Sequence, residues 1–478
     1  MFFHDDPGQT RHNPIVLMRK LYDLFLEALK GEEKSYTTGS ITRAIVLLSI
    51  PMVLEMAMES LFAVVDAFFV AKISTDAVAV VGLTESVLTL IYSLAIGLSM
   101  AATAMIARRI GEEHPDEAAK SAFQAILIGV AISVIISVIG LIYAEDILRL
   151  LGGSEQMIAS GVDYTRIALG SNIVITLLFL NNGILRGAGD AAAAMRVLWL
   201  ANGINIVLDP ILIFGWGPFP EMGVAGAAMA TSIGRGIGVL YQFYLLTKGG
   251  SVVRILRRHI QIQADVIKRL INVGATGAGQ FIIASASWIF LMSIIARFGS
   301  EAVAGYTISI RLLVFTILPS WGIANAAATL VGQNLGASHP ERAEKSVWQA
   351  ARYNMYFLVS VSIVYFFAAE WLMSFFTREE AVVKAGVASL RIICSGYVFF
   401  AYGMVISQAF NGAGDTRTPT IINLICFWLM EIPLGYFLAI PTGWGLEGVC
   451  MAIAISETMA AILCVAVFRR GKWKLVEI

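Results

Sequence analysis

The chain alternates long apolar runs with short polar connections. About twelve of the runs are long enough for a helix to cross a bilayer, which takes about 20 residues. Because a spanning segment must satisfy its backbone hydrogen bonds internally, runs of this length predict transmembrane helices. We therefore expect an all-α integral membrane protein with spans near 43–70, 78–107, 118–142, 160–183, 194–215, 223–246, 270–296, 302–332, 342–368, 386–410, 419–440 and 446–468.

The segment 1–40 precedes these runs and is mostly polar. Within it apolar residues recur at helical spacing from Leu17 to Leu29, and Arg19 and Lys30 lie among the remaining positions. An amphipathic pattern with basic residues is typical of a helix that lies in the membrane interface. The segment 1–40 is thus predicted to be a cytoplasmic tail that contains such a helix.

Two polar motifs recur along the chain at a fixed distance. Gly111–Lys120 matches Gly336–Lys345, and Arg186–Asp190 matches Asn411–Asp415, and the offset is the same for both pairs. Each half then contains six spans, and because six is even, both halves enter the membrane in the same orientation. This repeat predicts two six-helix lobes related by a pseudo-two-fold axis along the membrane normal, a plan found in some transporters.

The repeat also sets the predicted domain boundaries. The N-terminal lobe takes residues 41–247 and the C-terminal lobe residues 269–468, with a basic linker at 248–268 between them. Residues 469–478 form a second tail.

Basic residues are concentrated in alternate connections. One side of the membrane receives Arg108 and Arg109, Arg186, the linker and the C-terminal tail, whereas the opposite connections hold only scattered charges such as Lys72. The positive-inside rule then places both termini in the cytoplasm. We expect a multi-pass protein of the plasma membrane.

Composition supports this class of protein. Apolar residues make up 58% of the chain, charged residues only 14%, and the mean hydropathy is +0.76, whereas soluble domains carry about 25% charged residues. The four cysteines form no Cys-x-x-Cys pair, and the histidines lie in the tail or in connections. These features give no indication of a zinc or haem centre, and we expect no cofactor and no enzymatic activity. The net charge of zero gives no reason to expect a nucleic-acid partner.

The fifth predicted span carries the most informative polar residues. Asn202, Asn205 and Asp209 follow one another at i, i+3 and i+7, so they share one face of the helix. A carboxylate at bilayer depth costs about 2.5–3.5 kcal/mol on insertion scales and usually marks a functional site.

The first predicted span shows the same pattern. Glu55, Glu59 and Asp66 lie at i, i+4 and i+11, which places three carboxylates on one face. That face is expected to point towards the lobe interior or a water-filled cavity rather than towards lipid.

The second half does not repeat these acids. At the same offset, Asp66 corresponds to Leu291 and Asp209 corresponds to Leu434. Coupling chemistry is therefore predicted in the N-terminal lobe.

Two uses suit a cluster of Asp66, Asn205 and Asp209, with Thr231 of the sixth span as a further oxygen donor. Carboxylates that lie close together can share a proton, because like charges repel and water is scarce. Alternatively, carboxylate and amide oxygens can hold a hard cation such as Na⁺. The residues do not decide between the two ions.

The C-terminal lobe offers weaker candidates. Gln280 is uncharged and of a type that often bonds one helix to another. Glu431 stands just before a proline, either at the lobe interior or near a helix end. We take Glu55, Glu59, Asn202, Gln280 and Glu431 as candidates for a substrate cavity.

Several motifs together resemble the multidrug and toxic compound extrusion (MATE) family. They are Leu47–Pro51 at the start of the first span, Val65–Asp66 within it, Asn205–Pro210 in the fifth span, and the repeated Gly-Ala-Gly-Asp turn that extends to Pro419. The resemblance covers the chain from about position 40 to position 470. It implies two six-helix lobes and export of organic, often cationic compounds in exchange for H⁺ or Na⁺.

Within that family the chain resembles the branch whose cation site lies in the N-terminal lobe. The resemblance assigns the acid of the first span to Asp66, the Asn and Asp of the fifth span to Asn205 and Asp209, and the Thr of the sixth span to Thr231. The branch with acids in the seventh and tenth spans is a poorer match.

We therefore expect an ion-coupled antiporter that acts as a monomer and whose partners are a small organic solute and the bilayer. The alternative from the same superfamily is a flippase for a lipid-linked precursor. A flippase for an anionic headgroup should line its cavity with Arg or Lys, whereas an acidic cavity, as predicted here, favours a cationic solute. An intramembrane enzyme would need a nucleophile with its base, or metal ligands, and the positions of the histidines argue against it.

Overall fold

The computed structural model describes residues 14–32 and 35–478. Among them helices follow one another with short connections, and none of the described residues forms a β-strand. The helices are α1 Pro14–Lys30, α2 Ile41–Ala71, α3 Thr75–Gly111, α4 Pro115–Leu150, α5 Glu155–Gly170, α6 Asn172–Gly187, α7 Ala191–Phe214, α8 Val224–Thr247, α9 Ala264–Ile295, α10 Ser300–Gly336, α11 Pro340–Ser374, α12 Glu380–Ser395, α13 Tyr397–Gly412, α14 Arg417–Asn423, α15 Ile432–Ala439 and α16 Gly445–Phe468. A π-helical segment, Leu424–Glu431, joins α14 to α15.

The described helices account for the predicted spans. Nine spans are long and apolar enough to cross a bilayer, with α14 to α15 taken as one. Two more are the bent pairs α5 with α6 and α12 with α13. The remaining one is α8, a long helix that includes the polar side chains Arg235 and Gln242. The prediction of an all-α membrane protein with twelve spans in two lobes is confirmed.

Both bent spans break at a Gly/Ser pair. The pair α5 and α6 turns by 40° at Gly170–Ser171, and α12 and α13 turn by 58° at Ser395–Gly396. Adjacent Gly and Ser are a recognised cause of helix kinks. The two breaks lie at matching positions of the internal repeat, so the bend belongs to the repeat.

The helices that carry the candidate residues begin and end at residues suited to those positions. The Ser40 side chain accepts a hydrogen bond from the Arg43 N–H at the start of α2, and Asp190 does the same for Ala193 at the start of α7. Gly215 ends α7 with φ of +68°, a left-handed conformation that favours glycine. These residues define where α2 begins and where α7 begins and ends.

The two lobes, α2–α8 and α9–α16, meet in a reciprocal contact between α3 and α10. A Cβ atom added to Gly111 would clash with the carbonyl oxygen of Gln333, and one added to Gly336 would clash with that of Arg108. Gln333 matches Arg108 in the internal repeat, as Gly336 matches Gly111, so the contact follows the pseudo-two-fold relation. Backbones this close require glycine.

A second reciprocal contact lies further along the same helices. A Cβ atom on Gly97 of α3 would clash with the backbone of Ala278 in α9, and one on Gly322 of α10 would clash with the backbone of Met52 and Val53 in α2. The lobes are therefore tightly closed on the face that carries the C-terminal ends of α3 and α10.

The segment before α2 covers this closed face. Arg342 of α11 donates hydrogen bonds to the carbonyl oxygens of Thr38 at 2.6 Å and Gly39 at 2.8 Å. On the other lobe, the Tyr36 hydroxyl donates to the carbonyl oxygen of Gly189 at 3.4 Å. The segment thus contacts both lobes rather than extending away from them.

Helix α1 lies within the predicted N-terminal tail. Ala28 is buried and Leu24 packs against the core, whereas Met18 and Tyr22 are 69% and 61% exposed. One side of α1 therefore rests on the protein, and its contact with the membrane interface stays a prediction. Residues 1–13, 33 and 34 lie outside the described part of the chain.

The C-terminal tail also bridges the lobes. Trp473 is buried, Lys474 pairs with Glu344 of α11 at 2.5 Å, and the Val476 carbonyl oxygen accepts a hydrogen bond from Arg108 of α3. Helix α9 begins at Ala264, within the segment 248–268 that was predicted to be the basic linker.

Candidate functional site

A cavity of about 1290 Å³ lies between the two lobes. Its walls come from α2, α3, α5, α6 and α8 on one side and mainly from α10 and α13 on the other. Because the lobes are closed near Gly111 and Gly336, the cavity opens towards the opposite face. The candidate residues from the sequence that line it are Glu55, Glu59, Asp66 and Thr231.

The polar face of α7 lies behind the cavity wall. Asn202 and Asn205 are 1% exposed and Asp209 is fully buried, and none of the three lines the cavity directly. Their predicted common face is directed into the N-terminal lobe, which agrees with the i, i+3, i+7 spacing.

Asn205 and Asp209 lie next to α8, which connects them to the cavity. The Asn205 side-chain amide donates a hydrogen bond to Thr231 Oγ1 at 3.0 Å, and Thr231 itself lines the cavity. The remaining oxygens, Asn205 Oδ1 and Asp209 Oδ1 and Oδ2, are buried and accept no hydrogen bond from the described residues. Buried polar atoms without a partner are rare and call for a ligand or a functional role.

Asp66 lies on the cavity side of this group. It is partly exposed, and its charge acts on Asp209. The arrangement therefore offers two carboxylates and one amide oxygen, all hard acceptors. Such a set fits either a shared proton or a small cation.

Glu59 is held from two directions. Asn202 donates to Glu59 Oε2 at 2.9 Å, and Arg235 of α8 forms an ion pair with Glu59 Oε1 at 3.4 Å. Arg235 is only 3% exposed, donates to the Tyr92 hydroxyl at 3.1 Å, and lies 5.9 Å from the ring centroid of Phe179. The Glu59 carboxylate is thus already paired within the lobe.

Glu55 is also paired. Its Oε1 accepts hydrogen bonds from Asn182 and from Arg186, each at 2.9 Å, and Gln242 holds Asn182 with a bond of 2.7 Å. Arg186, which was counted with the basic connections on one side of the membrane, lies in the last turn of α6. α6 continues to Gly187, and the Arg186 side chain, 12% exposed, reaches the buried Glu55.

Besides Asn202, two further predicted cavity residues do not line the cavity. Gln280 does not line the cavity and donates instead to Ser407 Oγ at 3.2 Å, between α9 and α13. Glu431 is 2% exposed within the π-helical segment and likewise does not line the cavity. Both residues belong to the interior of the C-terminal lobe.

The sequence analysis did not identify four charged residues that line the cavity, namely Glu85, Arg186, Arg235 and Arg311. Glu85, Arg235 and Arg311 lie inside predicted spans, so the rule that intramembrane charges are functional would have found all three. The predicted acidic cavity therefore contains both signs of charge. Arg186 and Arg235 are neutralised by Glu55 and Glu59, which leaves Asp66 and Glu85 facing Arg311.

Comparison with known proteins finds a matching family model and similar proteins that cover most of the chain. Residues 51–211 and 278–437, one stretch in each lobe, match the family model MatE. The chain is 27% identical to a probable multidrug resistance protein NorM of Thermotoga maritima over 95% of this chain and 97% of that protein. It is 25% identical to an FAD transporter of Shewanella oneidensis over 89% and 94% of the two chains.

Solved structures show the same architecture. A crystal structure of MATE in complex with MaL6 has a TM-score of 0.86 and 29% identity, and it covers 92% of this chain and 98% of that one. A structure described as the outward-facing conformation of a multidrug resistance MATE family transporter has a TM-score of 0.86 and 28% identity over 93% and 100% of the chains.

Proposed function

Since this chain belongs to the MATE family of membrane transporters, we propose that it is a secondary active antiporter that exports organic cations in exchange for H⁺ or Na⁺. The observation that carries the proposal is the group of buried oxygens of Asn205 and Asp209, which have no described partner and lie behind Asp66 at the cavity wall. An ion that is bound there can be exchanged with the cavity.

In this proposal Asp66, Asn205, Asp209 and Thr231 hold the coupling ion. Asp66 lines the cavity, whereas Asp209 is fully buried behind the cavity wall. A cationic solute is attracted by the Asp66 carboxylate, and an ion that enters between the two acids neutralises that charge. Ion and solute therefore compete, which is the requirement for antiport.

The paired residues have a structural part in this scheme. Glu55 and Glu59 hold Arg186 and Arg235 against the cavity wall, and Asn202 orients Glu59. These bonds fix α2 against α6, α7 and α8, so that α2 presents Asp66 in a defined position. We assign Glu55, Glu59 and Asn202 as positioning residues rather than as direct solute ligands.

The proposal also includes the orientation of the protein in the membrane, its location, its oligomeric state and the choice between soluble and lipid-linked solutes. The basic connections lie on the closed face, so the positive-inside rule makes that face cytoplasmic and the cavity outward-facing. We place the protein in the plasma membrane as a monomer, with both termini in the cytoplasm. The similar proteins named as multidrug resistance proteins favour soluble solutes over a lipid-linked precursor.

The test is flux in vesicles that contain the purified protein, with H⁺ and Na⁺ gradients imposed separately. A fluorescent organic cation such as ethidium reports the movement of solute. We expect one of the two gradients to drive the dye against its own gradient, and protein-free vesicles to show none. Dye movement that ignores both gradients would contradict antiport.

A further inference from the structure

Two unlike charges face each other across the cavity at almost the same depth. Glu85 lies ten residues after the start of α3, and Arg311 lies eleven residues after the start of α10. Because α3 and α10 are related by the pseudo-two-fold repeat, nearly equal distance along them means nearly equal depth in the membrane. The N-terminal wall therefore presents a carboxylate where the C-terminal wall presents a guanidinium.

These two residues differ from the other charges of the cavity in having no close partner. Arg186 and Arg235 form ion pairs with Glu55 and Glu59. Among the described residues, neither the Glu85 nor the Arg311 side chain takes part in an ion pair or a side-chain hydrogen bond. Both side chains are exposed to the cavity.

Asp66 strengthens the negative wall. It lies on α2, lines the same cavity, and the charge of Glu85 acts on it. The cavity thus has two unpaired carboxylates on the N-terminal lobe and one unpaired guanidinium on the C-terminal lobe, counted over the residues that the structure describes.

Aromatic side chains lie beside the guanidinium. Phe315 follows Arg311 by four residues, so both side chains share one face of α10, and Phe315 is 51% exposed to the cavity. Further along α10, Trp321 lines the cavity and stacks on Phe281 of α9 with ring centroids 5.3 Å apart. A flat aromatic body can pack against this surface while its charged groups reach the two walls.

We infer that the cavity selects dipolar aromatic solutes, with the cationic group at Asp66 and Glu85 and a carboxylate at Arg311. Arg311 is then a specificity-determining residue, because its planar guanidinium can bind a carboxylate through two parallel hydrogen bonds. This inference rests on the proposed function and refines its substrate class from organic cations to cations that also carry an anionic group.

The test compares two dyes that differ only in this group, a zwitterionic rhodamine with a free benzoate and the methyl ester of the same dye. Binding of each dye to the purified protein in nanodiscs is measured by fluorescence anisotropy. We expect the wild-type protein to prefer the zwitterion. Arg311→Gln should weaken the zwitterion about tenfold, because a charged group loses its partner, and should strengthen the cationic ester, because a like charge is removed.

Three further variants complete the experiment. Arg311→Lys keeps the charge without the planar fork and should retain part of the preference. Glu85→Gln should weaken both dyes, because both carry the same cationic ring system. Arg297→Gln is the matched control, because Arg297 lies over the ring of Tyr436 and does not line the cavity.

An unchanged ratio of the two affinities in Arg311→Gln overturns the inference, as does a wild-type protein that binds neither dye. Transport in vesicles separates this result from the proposed function. Arg311-dependent discrimination in binding without gradient-driven transport would contradict antiport and leave the inference standing. Gradient-driven transport of both dyes with no effect of Arg311→Gln would support antiport and contradict the inference.

Discussion

The Asn205 side-chain amide donates a hydrogen bond of 3.0 Å to Thr231 Oγ1, and this bond ties α7 to α8 beside the buried Asp209. Thr231 is the member of this pair that lines the cavity. Because the bond fixes the side-chain amide of Asn205, it also determines how Asn205 Oδ1 is directed relative to the two carboxylates.

Thr231→Val should weaken the binding of the coupling ion. The change keeps the shape of the side chain but removes an oxygen that the proposal assigns to the ion. A polar contact to a charged group is worth about 1.5–3 kcal/mol, which is about tenfold or more in affinity. The measurement is dye flux as a function of the concentration of the driving ion. Thr231→Ser, which keeps the hydroxyl, should stay near wild type, and equal behaviour of the two variants would contradict this role.

Glu59→Gln should destabilise the folded protein. Arg235 is 3% exposed, and removal of the charge that it pairs with leaves a buried guanidinium uncompensated. Breaking a buried pair in this way typically costs about 3–5 kcal/mol. Thermal unfolding in detergent measures the effect as a lower Tm.

The control for this variant is Asp163→Asn, which breaks the exposed Arg166–Asp163 pair of 3.0 Å. Exposed pairs contribute little, so Tm should hardly change. An equal decrease of Tm in the two variants would show that the buried Glu59–Arg235 pair stabilises the protein no more than the exposed Arg166–Asp163 pair.

Gly97→Ala should shift the lobes away from the closed arrangement at the face that carries the C-terminal ends of α3 and α10. A Cβ atom at this position would clash with the backbone of Gly274 and Ala278 in α9, and backbone cannot move aside as a flexible side chain can. Distances between spin labels on the two lobes near Gly111 and Gly336 report the change, and we expect a larger fraction of long distances.

Gly279→Ala is the matched control, because nothing lies within 4 Å of a Cβ atom added there. It should give the wild-type distance distribution. A Gly97→Ala distribution that also matches wild type would show that the tight crossing does not limit closure.

Trp473→Ala should destabilise the contact between the C-terminal tail and the lobes. Trp473 is 1% exposed, stacks on Phe468 at 4.7 Å between ring centroids and donates to the Phe468 carbonyl oxygen. Truncation of a buried Trp costs about 3–5 kcal/mol. Limited proteolysis should cut the tail of this variant faster. Leu475→Ala, in the same segment but 82% exposed, should be cut at the wild-type rate, and a wild-type rate for both would contradict the prediction.

Spacing along single helices predicted much of the candidate site. Asn202, Asn205 and Asp209 share one face because the helix period requires it, and Glu55, Glu59 and Asp66 all line the cavity. The internal repeat predicted the two lobes equally well, since a repeat depends only on the sequence.

The contacts between helices could not be predicted from the spacing of residues along single helices. Which face of α9 is directed towards the cavity depends on its rotation against α3, and Gln280 proved to lie between α9 and α13. Arg186 was counted only with the basic connections on one side of the membrane. Its ion pair with Glu55 could not be predicted, because the reach of a long side chain from α6 to α2 leaves no periodic signal.

The most direct test of the central claim is gradient-driven dye flux in vesicles with Asp209→Asn beside Glu431→Gln. Both changes remove a buried carboxylate, one in the N-terminal lobe behind the cavity wall and one inside the C-terminal lobe. We predict that Asp209→Asn folds and still binds the dye but shows no more driven flux than protein-free vesicles, whereas Glu431→Gln keeps most of it. Wild-type flux in Asp209→Asn, or a complete loss in Glu431→Gln, would contradict a coupling site in the N-terminal lobe.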